Sequence, residues 1–442
     1  MHVERSLPAV GIVLCVAILA AHAGLLGEAH WRGDDYICAA FARDFGWRYL
    51  WQARIDGWSP RPLSELVYFG YGRLAAAFMR PFTVPFLGLL WGLLFATVLI
   101  TARAANAVRI LIGLSVACMF LLGHRIAELF FWPAGAVAYL TTLAASSLAL
   151  FLLIDGRTTS SAGRLALSAS LVACAASSET GAIAAVPLSV LLAASQPRPV
   201  LLLVPPLPVA GFVLFTLAHH RMVSPEAIRQ LGVMHHLASS LRPVPRDLLA
   251  DLLSLWPAKL CLVAGLRWSS PGSAPARQPR RTLAVFAAAL VVAAAASIAA
   301  GYYQFGTSCC QRHDSLRQCW IVLALAALAV ASTRWPPGLP TRRLGPAMLI
   351  LACLIGLAPR LPALLADYRL MPAIATTLRA NWQAGRMPDI GAMTFRLPPR
   401  TALAGGLGIP PGSYREPAAG DWTAHGIMDF FGKRRIAILA PP

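Results

Sequence analysis

Two adjacent carboxylates, Asp34 and Asp35, stand in the stretch WRGDDY, eight residues after an apolar run that ends at Leu26. Neighbouring carboxylates raise each other's proton affinity, so one of such a pair can act as a general base near neutral pH. The pair can equally hold a divalent cation. Acids are scarce here, 19 in 442 residues, so a doubled one beside an apolar run calls for a reason. Glu128 in AELFFWPAGAVAY and Glu179 in ASSETGA also stand at the ends of apolar runs. An ionised carboxylate near hydrocarbon is expensive unless partnered, so Glu179 reads either as functional or as satisfied by span-end amides or an arginine. Arg61, Arg73, Arg125 and Arg312, the last beside His313, are candidates to clamp a phosphate, whose oxygens match the guanidinium fork.

The elements that must position these groups are membrane helices. Hydrophobic residues make up 57% of the chain, charged residues 13%, and the mean hydropathy is +0.62. A soluble domain carries about twice that charge. Apolar lengths near those that cross a bilayer recur, predicting about eleven spans. They run over Pro8–Leu26, Phe82–Thr101, Val108–Leu122, Ala136–Ile154, Leu165–Ala176, Ala182–Ala194, Val200–Ala218, Leu248–Leu266, Leu283–Ala300, Trp320–Ser332 and Leu344–Ala358. The AHAG stretch at Ala21–Gly24 has the look of a cleavage site, but Glu4 offsets Arg5 in a weak leading region, predicting an uncleaved first span.

Net charge is +19, yet this is not a nucleic-acid signature. Only Lys259 and Lys433 are lysines, and the arginines sit in short turns between apolar runs. Alternation groups Arg103, Arg109, Arg157, Arg164, Arg198, Arg267, Arg277, Arg280, Arg281, Arg334, Arg342 and Arg343 on one side, which the positive-inside rule makes cytoplasmic. The N-terminus is then cytoplasmic and the C-terminus extracytoplasmic. Apart from Glu4 and Asp155, every acid falls on the outer side or at an outer span end. Topology signalling accounts for arginines inside; it does not account for acids gathered outside.

The outer loop 27–81 is rich in Trp and Tyr, including Trp31, Trp47, Trp51 and Trp58, which suits a membrane interface and predicts one or two helices along it. Its apolar face of Ile37, Phe41 and Phe45 is interrupted by Asp44 and Arg48, a self-satisfying i,i+4 pair. Two His-His pairs, at His219–His220 and His235–His236, read as surface loop, because helix neighbours do not share a face. The nine cysteines show no CxxC pair; Cys309, Cys310 and Cys319 either pair in an oxidising compartment or stay free. The region 367–442 lacks a span and predicts a small mixed appendage: a helix, a Gly/Pro-rich stretch, then HGIMDFFGKRRIAIL ending as a strand.

Taken together, RGDDY after the first span, DGWSPRPLSELVY leading to the second, AELFFWPAGAVAY, SET, and the ending DWTAHGIMDFFGKRRIAIL resemble the GT-C glycosyltransferases, multi-pass enzymes that use polyprenyl-phosphate-linked sugars. The resemblance implies an all-α polytopic fold over residues 1–366 with a small extracytoplasmic α/β appendage over 367–442. It implies transfer of a sugar, with inversion, from a polyprenyl-phosphate donor to a hydroxyl of a lipid-linked glycan, polysaccharide or protein on the outer face of a bacterial inner membrane. Asp35, slightly ahead of Asp34, is the expected base; Arg61, Arg73, Arg125, Glu128, Glu179, Arg312 and His313 are expected to bind donor phosphate or acceptor; a divalent cation, if used, would sit on Asp34 and Asp35. The partners expected are these lipids and glycans and the bilayer, with no nucleic acid. A transporter or flippase, and a polymerase or ligase of lipid-linked sugars, are the alternatives. The first would place charge at mid-membrane; the second would carry its large outer loop late in the chain.

Overall fold

The computed structural model describes all residues except 1, 58, 102–106, 124, 196–203, 221–232, 270–276, 308–309, 333–338, 389–390, 416–420 and 442. The expectations for Arg103, Arg198, Arg334, Trp58 and Cys309 lie outside the described residues. The fold is mostly helical, with one small sheet. In chain order the helices are α1 His2–Gly24, α2 Gly33–Arg48, α3 Pro62–Phe78, α4 Thr83–Thr101, α5 Ala107–Leu122, α6 Ala127–Phe130, α7 Pro133–Ile154, α8 Ser161–Ser177 and α9 Glu179–Ala194. They continue as α10 Pro206–His220, α11 Val233–Leu241, α12 Val244–Leu253, α13 Trp256–Ser269, α14 Arg277–Phe305, α15 Gln311–Ala331, α16 Leu339–Leu357 and α17 Leu361–Arg386. The tail adds β1 Met393–Arg396, β2 Gly412–Arg415, α18 Trp422–Phe431 and β3 Arg435–Leu439.

Among the described residues, four helices are long and apolar enough to cross a membrane, or up to six if each of two bent pairs is one span. The four lie in α1, α7, α14 and α15; shorter apolar helices, α4, α5, α8, α9 and α10, occupy further predicted positions. Of the four, α7 is the most enclosed, with 83% of its apolar window buried. Its neighbours approach through small residues and hydroxyls, as helices do where lipid removes the hydrophobic drive between them. Ser170 Oγ donates to the Ala145 carbonyl, Thr142 and Ser178 hydroxyls meet at 2.8 Å, and Trp320 Nε1 donates to Ser146 Oγ.

One predicted span is not straight. The stretch Leu248–Leu266 was expected as a single helix, but the chain turns by 67° between α12 and α13. Leu255 takes φ 51° at the corner. The carbonyls freed there are answered from within, because Lys259 Nζ donates to the carbonyls of Asp251 (2.5 Å) and Leu252 (3.3 Å). The second bent pair, α16 with α17, turns by 58°, and the predicted boundary at 366/367 falls inside α17.

The 27–81 loop and the tail form one packed body at the end of the bundle where α1, α5 and α8 finish and α7, α9 and α15 begin. Trp31 is buried, with ring centroids 5.2 Å from Tyr36, 5.3 Å from Trp382 and 5.1 Å from Phe430. Fully burying such side chains stabilises by about 1.5–3 kcal/mol each. The helix α2 continues into a wider π turn over Tyr49–Ile55, fastened to α3 by a two-pronged pair from Arg54 to Glu65 at 2.9 Å each. Asp44 pairs with Arg43 rather than with Arg48, which donates to Gln52; Arg43 also reaches the carbonyls of Asp429 and Phe430 at the end of α18. Neighbouring sequence thus wins over i,i+4 spacing because the tail draws Arg43 across. Phe45, Trp47 and Trp51 remain more than half exposed.

The tail sheet has the order β1-β3-β2, parallel between β1 and β3 and antiparallel between β3 and β2. Its helix α18 is capped by Asp421, which accepts the Thr423 and Ala424 N–H groups. It meets α2 at two glycines: a Cβ on Gly33 would come 2.6 Å from Thr423 Oγ1, and one on Gly426 would run into Ile37. Gly426→Val is therefore expected to loosen the tail at a cost of about 1–3 kcal/mol, seen as faster proteolysis between α17 and α18. Gly408→Val, with nothing within 4 Å of its added Cβ, should leave the cleavage rate unchanged.

Candidate functional site

The two adjacent aspartates meet very different surroundings. Successive helix residues point about 100° apart, so a pair at the start of a helix cannot share one direction. Asp35 turns inward and is 2% exposed. Its Oδ2 accepts the Arg32 backbone N–H and the Trp132 indole N–H, each at 2.8 Å, and its Oδ1 accepts the Tyr68 hydroxyl at 2.6 Å. The first of these bonds closes the N-terminus of α2, the usual service of an acid at the third helical position. Burial outweighs the three donors, and with Asp34 nearby it pushes the Asp35 carboxyl up to about 7. Asp34 is half-buried and has no hydrogen-bond or ion-pair partner among the described residues.

Trp132 joins Asp35 to the cations. While its N–H serves Asp35, its ring lies 5.2 Å from the guanidinium carbons of both Arg32 and Arg312, within cation–π range. Glu128, in the first turn of α6, faces both: Arg32 at 3.7 Å and Arg312 at 3.6 Å, with the Arg312 backbone N–H at 3.2 Å. Burial holds the Arg32 guanidinium below its usual value, while Glu128 and Asp35 draw it back up. Two arginines thus share one carboxylate.

On the far side of Arg312 stands Tyr139, one turn and more into α7. Arg312 lies 5.8 Å and Arg61 5.9 Å from its ring, and its hydroxyl meets His313 Nε2 at 2.7 Å. Arg61 in turn pairs with Glu179 at 2.8 Å, and Ser59 Oγ donates to the same carboxylate at 3.3 Å. Glu179 opens α9, where the helix N-terminus favours an anion, and its alternatives resolve to an acid satisfied by an arginine.

The structure therefore gathers Asp34, Asp35, Glu128, Glu179, Arg61, Arg312 and His313 at one end of the bundle. It does not gather Arg73 or Arg125. Arg73 is exposed, with its guanidinium 5.9 Å from the Phe69 ring. Arg125 has 65% of its side chain exposed and pairs with Asp314, which also receives the buried Arg317. Both were expected at the phosphate, but neither has a contact with a member of the cluster among the described residues. Four members were not singled out from sequence: Arg32, Tyr68, Trp132 and Tyr139. Arg32 had a signal, standing two residues before the acidic pair in WRGDDY.

The acidic pair does not provide a ready cation site. Asp35 is committed to three donors, and among the described residues the only group of three close potential ligands is Cys15, Cys118 and Cys353, buried where α1, α5 and α16 cross. Of the cysteines expected to pair, Cys310 is in a disulfide whereas Cys319 is free and buried in α15. His236 bonds the Tyr303 carbonyl at 2.7 Å and His235 is exposed, so that His-His pair does not chelate.

No protein-family model matches the chain, and no curated protein or solved structure matches it either.

The raised Asp35 carboxyl has a measurable consequence. Below about pH 4 it is protonated in both folded and unfolded chains. Between that pH and about 7 the folded protein keeps a proton that the unfolded chain has lost, so this residue's contribution to stability declines as pH rises through the window. Thermal melting of the wild type compared with Asp35→Asn isolates the term: the gap between the two is expected to shift in favour of the variant as pH rises from 4 to 7. A gap independent of pH would contradict a buried, proton-holding Asp35.

Proposed function

We propose that the chain is a GT-C-type membrane glycosyltransferase of about eleven spans, acting on the extracytoplasmic face with a polyprenyl-phosphate sugar as donor. The observation that carries this reading is a pair of arginines, Arg32 and Arg312, that share the carboxylate of Glu128 at the helix end that also bears the acidic pair. Arg61 is matched by Glu179 and Arg54 by Glu65, whereas Arg32 and Arg312 share Glu128 alone. Glu128 offsets only one of these two charges, and the buried Asp35 acts on Arg32 as well. A phosphate diester carries the complementary charge, and an acceptor hydroxyl needs a base.

In this mechanism the acceptor oxygen bonds to the anomeric carbon as the bond from that carbon to the phosphate oxygen breaks. The proton of the acceptor goes to Asp34, and the electron pair of the broken bond stays on the polyprenyl phosphate. Arg32 and Arg312 stabilise that growing charge through hydrogen bonds that strengthen as the leaving group forms. Asp34 is preferred to Asp35 as base because its oxygens have no partner among the described residues, whereas each oxygen of Asp35 is already accepting. Asp35 positions: it holds Arg32, Tyr68 and Trp132, and through Trp132 it sets the plane beside the two arginines. Inversion at the anomeric carbon follows from a single displacement. No step needs a protein-bound cation.

The broken helix at Leu255 is the feature a transporter reading would claim, since discontinuous spans carry ion sites in many transporters. Lys259 already answers its carbonyls, so it needs no cargo ion.

The test is transfer from a radiolabelled polyprenyl-phosphate sugar by the full-length protein in membranes. Asp34→Asn is expected to lower kcat by about 10²–10⁴-fold, the usual worth of a positioned base. Asp35→Asn, close in shape and able to keep most of the bonds, is expected to retain more activity than Asp34→Asn. The reverse order would sink the assignment, and full transfer by both variants would sink the catalytic reading altogether. Sidedness is tested separately: a periplasmic reporter fused to the C-terminus should be active, and an inactive fusion on a stable protein would reverse the topology.

A further inference from the structure

The sheet of the tail has a second face that the helix-end cluster does not use. Met393, Phe395, Ile436 and Ile438 are buried on the inner side. The other side forms an open depression of about 440 Å³ whose lining includes Thr394, Ser413, Arg415, Arg435 and Ala437. Strand register sets out its floor. Ser413 pairs with Ala437, and Ala437 with Thr394, so three small residues lie in a row across the three strands. In the adjacent row Arg415 is paired directly with Arg435.

Like charges directly opposite in an antiparallel pair are destabilising, and a sheet that only needed to fold would place opposite charges there. Among the described residues, neither side chain has a hydrogen bond or ion pair to relieve it. Among the described acids of the tail, Asp367 accepts the Ala402 and Leu403 N–H groups, and Asp421 caps α18. Two forked cations without a counter-anion among the described residues, set beside hydroxyls over a floor of small side chains, describe a receptor for an oxyanion carried on a polyol. The depression falls in the size range of small-molecule sites, with room for one or two sugar rings.

We propose that this face of the tail binds a phosphate-bearing saccharide. Arg415 and Arg435 clamp the phosphate, each offering two N–H donors to its oxygens, while Ser413 and Thr394 meet sugar hydroxyls on the floor. The assignment rests on the tail's own geometry and stands whether or not the chain transfers sugar.

The experiment is calorimetric titration of the full-length protein in neutral detergent with glucose 1-phosphate, glucose and inorganic phosphate, repeated in nanodiscs with and without phosphatidylglycerol. Glucose 1-phosphate is expected to bind, more weakly as salt rises, and glucose to show no measurable heat. Arg415→Gln and Arg435→Gln are each expected to weaken the sugar phosphate by about tenfold or more, with melting temperatures equal to or above that of the wild type; should either variant misfold, Arg435→Lys keeps the charge without the fork and is expected to weaken binding as well. Undiminished binding by the variants that fold overturns the proposal. So does inorganic phosphate binding as tightly as glucose 1-phosphate, which would mark a bare anion site, or competition by phosphatidylglycerol discs alone, which would mark a lipid headgroup site. Loss of binding in Arg312→Gln but not in Arg415→Gln would move the phosphate to the helix-end cluster and also overturn it.

Discussion

The arrangement at the helix ends depends on one buried carboxylate. Asp35 takes hydrogen bonds from the backbone at the start of α2, from Tyr68 on α3 and from Trp132 just before α7. Removing any donor would leave a buried acid short of a partner, at about 1–3 kcal/mol or more for a charged group. The three elements are therefore held to one another at the point where their side chains face Glu128, Arg312 and Tyr139. Trp132 carries the constraint onward, since the ring fixed by its N–H is the same ring beside Arg32 and Arg312.

The same constraint separates two residues that look alike. With Asp35 pinned inward, helix geometry turns Asp34 away, and it reaches no protein partner among the described residues. The tail reinforces this from the other side. Gly33 and Gly426 let α18 press against the first turn of α2, and the aromatic cluster around Trp31 stops that turn from rocking. A free carboxylate is thus held on a rigid support, which is the condition for a group that must meet a substrate in one orientation.

Much of the fold was legible because a hydrocarbon-length apolar run has few alternatives to a helix. Every predicted span overlaps a helix. The break between α12 and α13 was not legible, because LSLWPAKL stays apolar through the corner and the positive φ falls on a leucine. At the site, residue type identified the acids but not their partners. Arg61 meets Glu179, 118 positions away, and only the fold decides that Arg61 turns toward it while Arg73 and Arg125 turn out. Trp132 and Tyr139 were not singled out, because nothing in composition distinguishes a ring that faces lipid from one that lies against two guanidinia.

The proposed function rests on the two arginines that share Glu128. The direct measurement is equilibrium binding of polyprenyl phosphate to the purified full-length protein and to Arg32→Gln and Arg312→Gln. Both variants are expected to bind about tenfold more weakly or worse, with Arg73→Gln, outside the cluster, unchanged. Equal affinity across all four proteins would contradict the account.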